Sequence, residues 1–343
     1  MPPPKVPYQP YADVHQTPAG PGDARPTALQ IIEDNDLLGK LTNKTVLITG
    51  GSSGIGVTTA AAFYETGAKV LITARDMPKV EKVIDDIVHN SPSKDKKFPR
   101  PEAIEAHLDN LQSVRDAAKV IKSKVSSLNI LINNAGIAFI PYSKTVDGFE
   151  LGIGTNHFSH FLLFQELKPL LLAGAKECGS TSRVINISSA AHRRSAVHVD
   201  DIIFEHREYD LYLGYGQSKT ANIWMANALT RKYGAEGLTG LSVHPGVIAT
   251  DLGRHMSQKQ IDDLIARNQS RIKSLEQGAA TTVWAAVSPH FEDVANGGRY
   301  LADVGEAGTA GSNHEAYSPH AYDEDGEDKL WKLSCKAVGV DED

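Results

Sequence analysis

Cysteine is scarce: Cys178 and Cys335 are the two in the chain. They lie far apart and without metal-ligand spacing, so neither a disulfide framework nor a zinc site is indicated, and a reducing compartment fits. Positive charge is short as well. With 35 Lys and Arg against 42 Asp and Glu, the net charge is −7, and no Lys/Arg cluster exceeds three or four residues. That leaves no basic face for nucleic acid. Long hydrophobic runs are missing too. The most apolar stretch, Phe158 to Ala175, is cut by His160, Gln165, Glu166 and Lys168, and reads as a buried helix, not a membrane span. At the N-terminus there is no apolar signal core, and Pro2, Pro3, Pro4, Pro7 and Pro10 would break one. A cytoplasmic location is expected. No catalytic Cys/His pair and no Gly-Lys-Ser/Thr phosphate loop occurs.

What is present is alternation. From Asn43 onward, short β-rich runs (44–49, 69–73, 102–107, 128–132, 183–187, 239–243, 298–301) interleave with helical ones (54–66, 77–90, 111–125, 149–174, 213–233, 276–288). This predicts an α/β fold: one doubly wound (Rossmann) domain, a seven-stranded parallel sheet with helices on both faces. The domain spans 43–303. Residues 1–42 form an N-terminal arm and a short helix, and 304–343 an acidic tail whose Leu330, Trp331 and Leu333 dock on the body. Eight of the 17 prolines precede Thr27, so residues 1–26 are expected to be poorly ordered or extended, and dispensable for catalysis. Residues 90–101 read as a polar surface loop. Residues 246–275 follow a strand and suit a lid that sets substrate choice.

The first strand runs into Thr49-Gly50-Gly51-Ser52-Ser53-Gly54-Ile55-Gly56, followed by an alanine-rich helix. Glycine allows the tight turn and a close backbone approach to a pyrophosphate, and the helix N-terminus offers N–H groups and a positive dipole end. Asn133-Asn134-Ala135-Gly136 ends the fourth strand, where open parallel sheets bind ligands. On the helix over 213–233, Tyr215 and Lys219 stand at i and i+4 and share a face. A nearby cation favours the phenolate of a tyrosine whose free pKa is near ~10, and such a group can exchange a proton with a carbinol oxygen.

Taken in order, Thr-Gly-x-x-x-Gly-Ile-Gly, Asn-Asn-Ala-Gly, the pair Ser188-Ser189 ending the fifth strand and Tyr-x-x-x-Lys resemble the short-chain dehydrogenase/reductase family over roughly 43–303. Thr155-Asn156-His157-Phe158, the 25 residues between Ser189 and Tyr215, and the ending Leu330-Trp331-Lys-Leu-Ser resemble its retinol-dehydrogenase-type branch. The resemblance implies an oxidoreductase interconverting an alcohol with a ketone or aldehyde. Tyr215 would be the proton donor or acceptor, and Lys219 would lower its pKa and bind the nicotinamide ribose. Ser189, in preference to Ser188, would hold the substrate oxygen, and Asn156 would support a proton-relaying water. For the cofactor it implies Gly50, Ser52, Ser53, Gly54, Ile55 and Gly56 at the pyrophosphate and Leu108 and Asp109 at adenine. Asn133, with Ala135 and Gly136 beside it, would meet the adenosine ribose, and Val247, Ile248 and Thr250 the nicotinamide end.

NADP (NADPH) is expected over NAD. No acidic residue stands at Thr73 or Ala74 to bind an NAD ribose, while Arg75 can pair a 2′-phosphate and Asp76 begins the next helix as its cap. Phe139, Ile140, Tyr142, Tyr212 and Leu252 suggest an apolar substrate of medium size. His157, His160 and His244 lack a carboxylate or Cys partner at ligand spacing and read as core histidines, with no metal site. His192, Arg193 and Arg194 read as a solvated loop. The long helices 149–174 and 213–233 could pair in a homodimer across a two-fold axis. Two alternatives stay open: a non-catalytic dinucleotide-binding redox sensor, and a C=C reductase on the same fold.

Overall fold

The computed structural model describes residues 6–309 and 315–342; Met1–Lys5 of the arm and part of the tail lie outside them. The arm carries α1 (Ala12–His15) and α2 (Ala28–Asp34), and β1 (Thr45–Thr49), α3 (Ile55–Glu65), β2 (Lys69–Ala74), α4 (Met77–Asn90) and β3 (Glu102–Glu105) follow. Next come α5 (Leu111–Lys124), β4 (Ile130–Asn133), α6 (Leu151–Ile153), a π-helical turn (Gly154–Phe158), α7 (Ser159–Cys178), β5 (Ser182–Ile187), α8 (Leu211–Tyr233) and β6 (Leu238–His244). The chain then runs through β7 (Val247–Ile248), α9 (Gln258–Asn268), β8 (Ile272–Lys273), α10 (Leu275–Val287), β9 (Tyr300–Ala302), β10 (Gly305–Glu306) and α11 (Glu324–Val338).

Eight strands, not the expected seven, form the main sheet, in the order β10-β9-β6-β5-β4-β1-β2-β3. Seven are parallel; β10 alone is antiparallel, to β9. It was illegible because its turn, Asp303-Val304, has φ of 51° and 55°. A two-residue hairpin with both φ positive ordinarily announces itself as Asn-Gly or Asp-Gly, whereas a β-branched residue there is strained. Here tertiary contacts hold it: the Asp303 carboxylate accepts from Lys273 Nζ at 2.7 Å, and Val304 N–H donates to Thr281 Oγ1 at 3.1 Å.

Alternating side chains divide the sheet's two faces. Val46, Ile48, Val70 and Ile72 pack under α2, α3, α4 and α10, while Leu47, Leu71, Leu131 and Val184 pack under α5, α7 and α8. The tail is part of this second layer. Trp331, 2% exposed, sits edge-on to Phe161 with ring centres 4.9 Å apart, and Asn227 of α8 donates to the Ala321 carbonyl and to Glu327. Burying so large a ring removes its apolar area from water at roughly 25 cal/mol per Å2. α11 thus packs on α8 and on part of α7.

The arm differs from expectation. From Tyr8 onward it is anchored to the body: Tyr8 N–H donates to Glu306 at 3.0 Å and its ring stacks on His290, centres 4.3 Å apart. Arg25, 4% exposed, donates to the carbonyls of Gly20, Arg271 and Ile272 at 3.0, 2.9 and 2.7 Å. Prolines set an extended path, but polar groups 250 residues away fix it. The 90–101 loop is also partly anchored, because buried Ser91 caps its own turn and meets Glu65.

Candidate active site

The carboxyl ends of the parallel strands open into a cleft of about 800 Å3. At its centre the chain turns from β1 into α3. Gly50 has φ of 70°, and a Cβ there would lie 2.8 Å from that of Ala135; one on Gly56 would come within 2.4 Å of the Gly50 carbonyl. Both positions therefore require glycine. Gly54, φ 60°, caps α3 with no side-chain hydrogen bond to the first turn, whereas α4, α5 and α8 are capped by Asp76, Asn110 and Asp210. Gly54, Ile55 and Gly56, where α3 begins without a side-chain cap, line the cleft beside Ser52 and Ser53. Free N–H groups at a helix start suit a phosphate. The β4 end braces the turn: Thr49 Oγ1 accepts from the N–H of Asn134 and Ala135 at 2.9 and 3.0 Å, and Asn134 Nδ2 donates to the Thr49 carbonyl at 2.8 Å.

Arg75, Leu108 and Asp109 line the cleft at the ends of β2 and β3, and Ala135, Gly136, Ile248 and Thr250 line it further along. Arg75 is exposed and makes no ion pair among the described residues, while Asp76 is occupied in capping α4, accepting from Lys79 N–H at 3.0 Å. Two residues expected at the cofactor do not line the cleft. Asn133 is buried with its amide donating to Asn186 at 2.8 Å, and the neighbouring Asn134 takes the wall position. Val247 pairs with Ile272 in the two-stranded β7–β8 sheet, and Ile248 faces inward. Strand pleating decides this, since adjacent residues point to opposite sides.

The reactive groups converge on one wall. Ser188 also borders the cleft, but its hydroxyl is occupied, donating to the Lys219 carbonyl at 2.8 Å. Ser189 faces the cleft, its oxygen accepting from Ala191 N–H at 3.1 Å, and stands within hydrogen-bonding reach of the Tyr215 phenol. Lys219 Nζ donates to the Ile187 carbonyl at 3.0 Å. Burial dominates the protonation of both groups, contrary to the depressed phenol expected from the i+4 spacing. It pushes Tyr215 up to about 12, with the Ser189 hydrogen bond opposing, and pushes Lys219 down to about 7. Without water, each prefers its neutral form.

Asn156 sits in the π-helical turn, its Oδ1 accepting from Ile137 N–H at 2.9 Å, and its Nδ2 donating to the Ile137 carbonyl and Ser218 Oγ, both at 2.9 Å. Its amide thus holds the cleft wall beside Lys219. Of the apolar residues expected around a substrate, Ile140, Tyr142 and Leu252 line the cleft. Phe139 instead packs, tilted by 56°, against both Tyr212 and Tyr215, ring centres 5.4 and 5.0 Å apart, and Tyr212 accepts from Gln260 of α9 at 2.8 Å. Arg254 and His255 also border it; nothing in a polar loop signals which way they point. His157 and His160 are buried and bonded to Ser334 and Thr49. His244 does have a carboxylate partner, Glu315 at 2.8 Å, which sequence spacing could not reveal. No helix among the described residues is long and apolar enough to cross a membrane.

This arrangement matches known proteins. The family model for short chain dehydrogenases matches residues 44–261. Short-chain dehydrogenase/reductase prx1 of Penicillium roqueforti is 43% identical over 328 residues, 94% of this chain and 93% of that one. Human retinol dehydrogenase 14 is 34% identical over 314 residues, 88% of each chain. Among solved structures, an uncharacterized protein from Mycobacterium paratuberculosis aligns with a TM-score of 0.66 at 31% identity, covering 90% of this chain and 97% of that one. Pseudomonas aeruginosa RhlG, in an NADP active-site complex, aligns with a TM-score of 0.61 at 26% identity, covering 78% and 96%. The chain belongs to the short-chain dehydrogenase/reductase family, on its retinol-dehydrogenase-like side, and is an NAD(P)-dependent oxidoreductase.

Proposed function

We propose that the protein is an NADP-dependent oxidoreductase that interconverts an alcohol and its ketone or aldehyde on an apolar small molecule, with Tyr215 as general acid/base. The observation that carries this reading is the meeting of Ser189, Tyr215 and Lys219 on the wall of a cleft whose floor is an uncapped helix start. The donor set fits a dinucleotide: glycines that admit close approach, the first-turn amides of α3 without a side-chain cap, and a lone guanidinium at the end of β2. When bound, that cofactor supplies or accepts the hydride at the carbinol carbon.

The chain's own residues handle the proton. In reduction, the Tyr215 phenol gives its hydrogen to the carbonyl oxygen as the C=O bond becomes an alcohol; in oxidation the proton returns to the phenolate. Ser189, whose oxygen is oriented by Ala191 N–H, keeps its own hydrogen for the substrate oxygen or the phenolate. Lys219, when protonated, stabilises the phenolate that remains, and Asn156 positions the Ile137 backbone and Ser218 behind it. Ile140, Pro141, Leu151 and Leu252 supply an apolar wall that excludes water. Arg75, which has no carboxylate partner among the described residues, favours the 2′-phosphate of NADP over the bare ribose of NAD. A cytoplasmic site of action accompanies this reading, supported by two unpaired cysteines, Cys178 and Cys335. A panel of alcohols and carbonyl compounds, read by NADPH absorbance with NADH in parallel, tests it; no turnover with any member, despite tight NADPH binding, would favour a sensor over an enzyme.

A further inference from the structure

His192, expected in a solvated loop, is fully buried three residues beyond Ser189. Its ring Nδ1 lies 2.8 Å from the Ser189 carbonyl oxygen, and its Nε2 lies 3.1 Å from the backbone nitrogen of Ser318 in the C-terminal segment. The two partners fix the ring's chemistry. A carbonyl only accepts, so Nδ1 must carry a hydrogen; a backbone N–H only donates, so Nε2 must be bare. Both demands select the same neutral tautomer. Burial agrees, pushing the ring down to about 3, and Tyr300 closes one side, ring centres 4.7 Å apart. The backbone is held as well. The His192 carbonyl accepts from Thr220 Oγ1 on α8 at 3.1 Å and from His320 Nε2 at 2.9 Å, and its N–H donates to the Ser189 carbonyl at 3.0 Å. Thr220 is the residue after Lys219.

We propose that His192 is a positioning residue for Ser189, and that the C-terminal segment around Ser318–His320 is thereby part of the catalytic apparatus. The Ser189 carbonyl takes two hydrogens from the one residue, the His192 N–H and Nδ1–H. Its φ and ψ, and hence the aim of its hydroxyl at Tyr215, are set by a ring that Ser318 keeps in one protonation state. Because the C-terminal strap and α8 meet at His192, the serine and the Tyr215–Lys219 helix keep a common reference. The inference rests on Ser189 acting at the reaction centre, as proposed above.

A double-mutant cycle with His192→Ala and Ser189→Ala tests it, using NADPH and whichever carbonyl compound the substrate panel identifies. His192→Ala is expected to lower kcat about tenfold or more with the Kd for NADPH within about twofold, and to change kcat less than about twofold in the Ser189→Ala background. Equal losses in both backgrounds would overturn the proposal, because a merely structural residue acts whether or not the serine is there. If Ser189→Ala itself keeps full activity, the reading of the site fails instead. His192→Asn, whose amide can still reach the Ser189 carbonyl, should recover part of the loss and covers the case in which His192→Ala does not fold; recovery no better than alanine counts against it. Independently of activity, 15N shifts of the His192 ring should report the Nδ1–H tautomer unchanged from pH 8 to 5. The opposite tautomer, or a ring titrating near its free value, would refute the constraint.

Discussion

Lys219 and Tyr215 share one face of α8, yet the lysine does not bond the phenol: Nζ lies 5.5 Å from the centre of the Tyr215 ring and gives a hydrogen to the Ile187 carbonyl. The pair is held close enough to act through charge and far enough to leave the phenol oxygen for Ser189 and the substrate. Near pH 7 the phenol rests neutral, burial having pushed it up to about 12, while the lysine, driven down to about 7, is divided between its charged and neutral forms. Extra positive charge in the site favours the phenolate, as Coulomb attraction is strong where water is excluded.

Tyr215→Phe should therefore abolish turnover while leaving NADPH affinity nearly intact, since only the transferable proton is lost. Positioned acid catalysis contributes ~10²–10⁴-fold, so steady-state kinetics showing more than about a tenth of wild-type kcat would remove Tyr215 from its role.

Lys219→Met should inactivate the enzyme and stabilise the fold. The lysine's folded pKa lies below its unfolded value, so between about 7 and 10.5 the unfolded chain holds the extra proton. The penalty for burying Lys219 is fully present below about pH 7 and fades as pH rises through that window, by up to ~1.4 kcal/mol per unit. The Ile187 carbonyl keeps a donor in Asn222 Nδ2 at 2.9 Å, so methionine leaves no orphan. Thermal unfolding should show the variant gaining more at pH 6 than at pH 10; an equal or larger gain at pH 10 would contradict the burial argument.

Arg75→Ala should weaken NADPH far more than NADH. A charge-assisted contact to the 2′-phosphate contributes on the order of 1.5–3 kcal/mol, which corresponds to at least a tenfold change in preference. Fluorescence titrations that show both cofactors weakened alike would make Arg75 a surface residue.

Arg25→Ala should loosen the lid, reversing the expectation that the arm is dispensable. The guanidinium holds the carbonyls of Arg271 and Ile272, where β8 pairs with the cleft-lining β7 strand. Charged hydrogen bonds of this kind contribute ~1.5–3 kcal/mol. We expect a lower Tm and at least a threefold rise in KM for the carbonyl substrate, with kcat moving less; deletion of residues 1–26 should do the same. Unchanged Tm and KM in both variants would restore the arm to a passenger.

Acid should destabilise the fold through its buried imidazoles. His157 and His160 are pushed down to about 3 and 4 by burial, so the unfolded chain binds more protons below about 6.5, and stability is lost as pH falls from there toward 4. Urea unfolding of His157→Gln across this range should show a shallower loss than wild type; an identical slope would show that His157 does not contribute.

Much of this protein is fixed locally, and local features are what a sequence displays. The alternation of apolar runs with helical ones sets the α/β class because each run must bury a face, and the glycine at 56 is demanded in part by the nearby Gly50 carbonyl, whereas the glycine at 50 answers to Ala135 across the sheet. The i and i+4 spacing of Tyr215 and Lys219 needs only a helix. Tertiary structure decided everything that depends on partners distant in the chain. Burial, which no spacing encodes, set the protonation of Tyr215 and Lys219, and the pleat turned Asn133 and Val247 from the cleft. Folded contacts from Lys273 and Thr281 hold the positive-φ turn that makes β10. Arg25 meets carbonyls near residue 271, and His192 meets Ser318, only because the folded chain brings their polar groups together where no water can satisfy them.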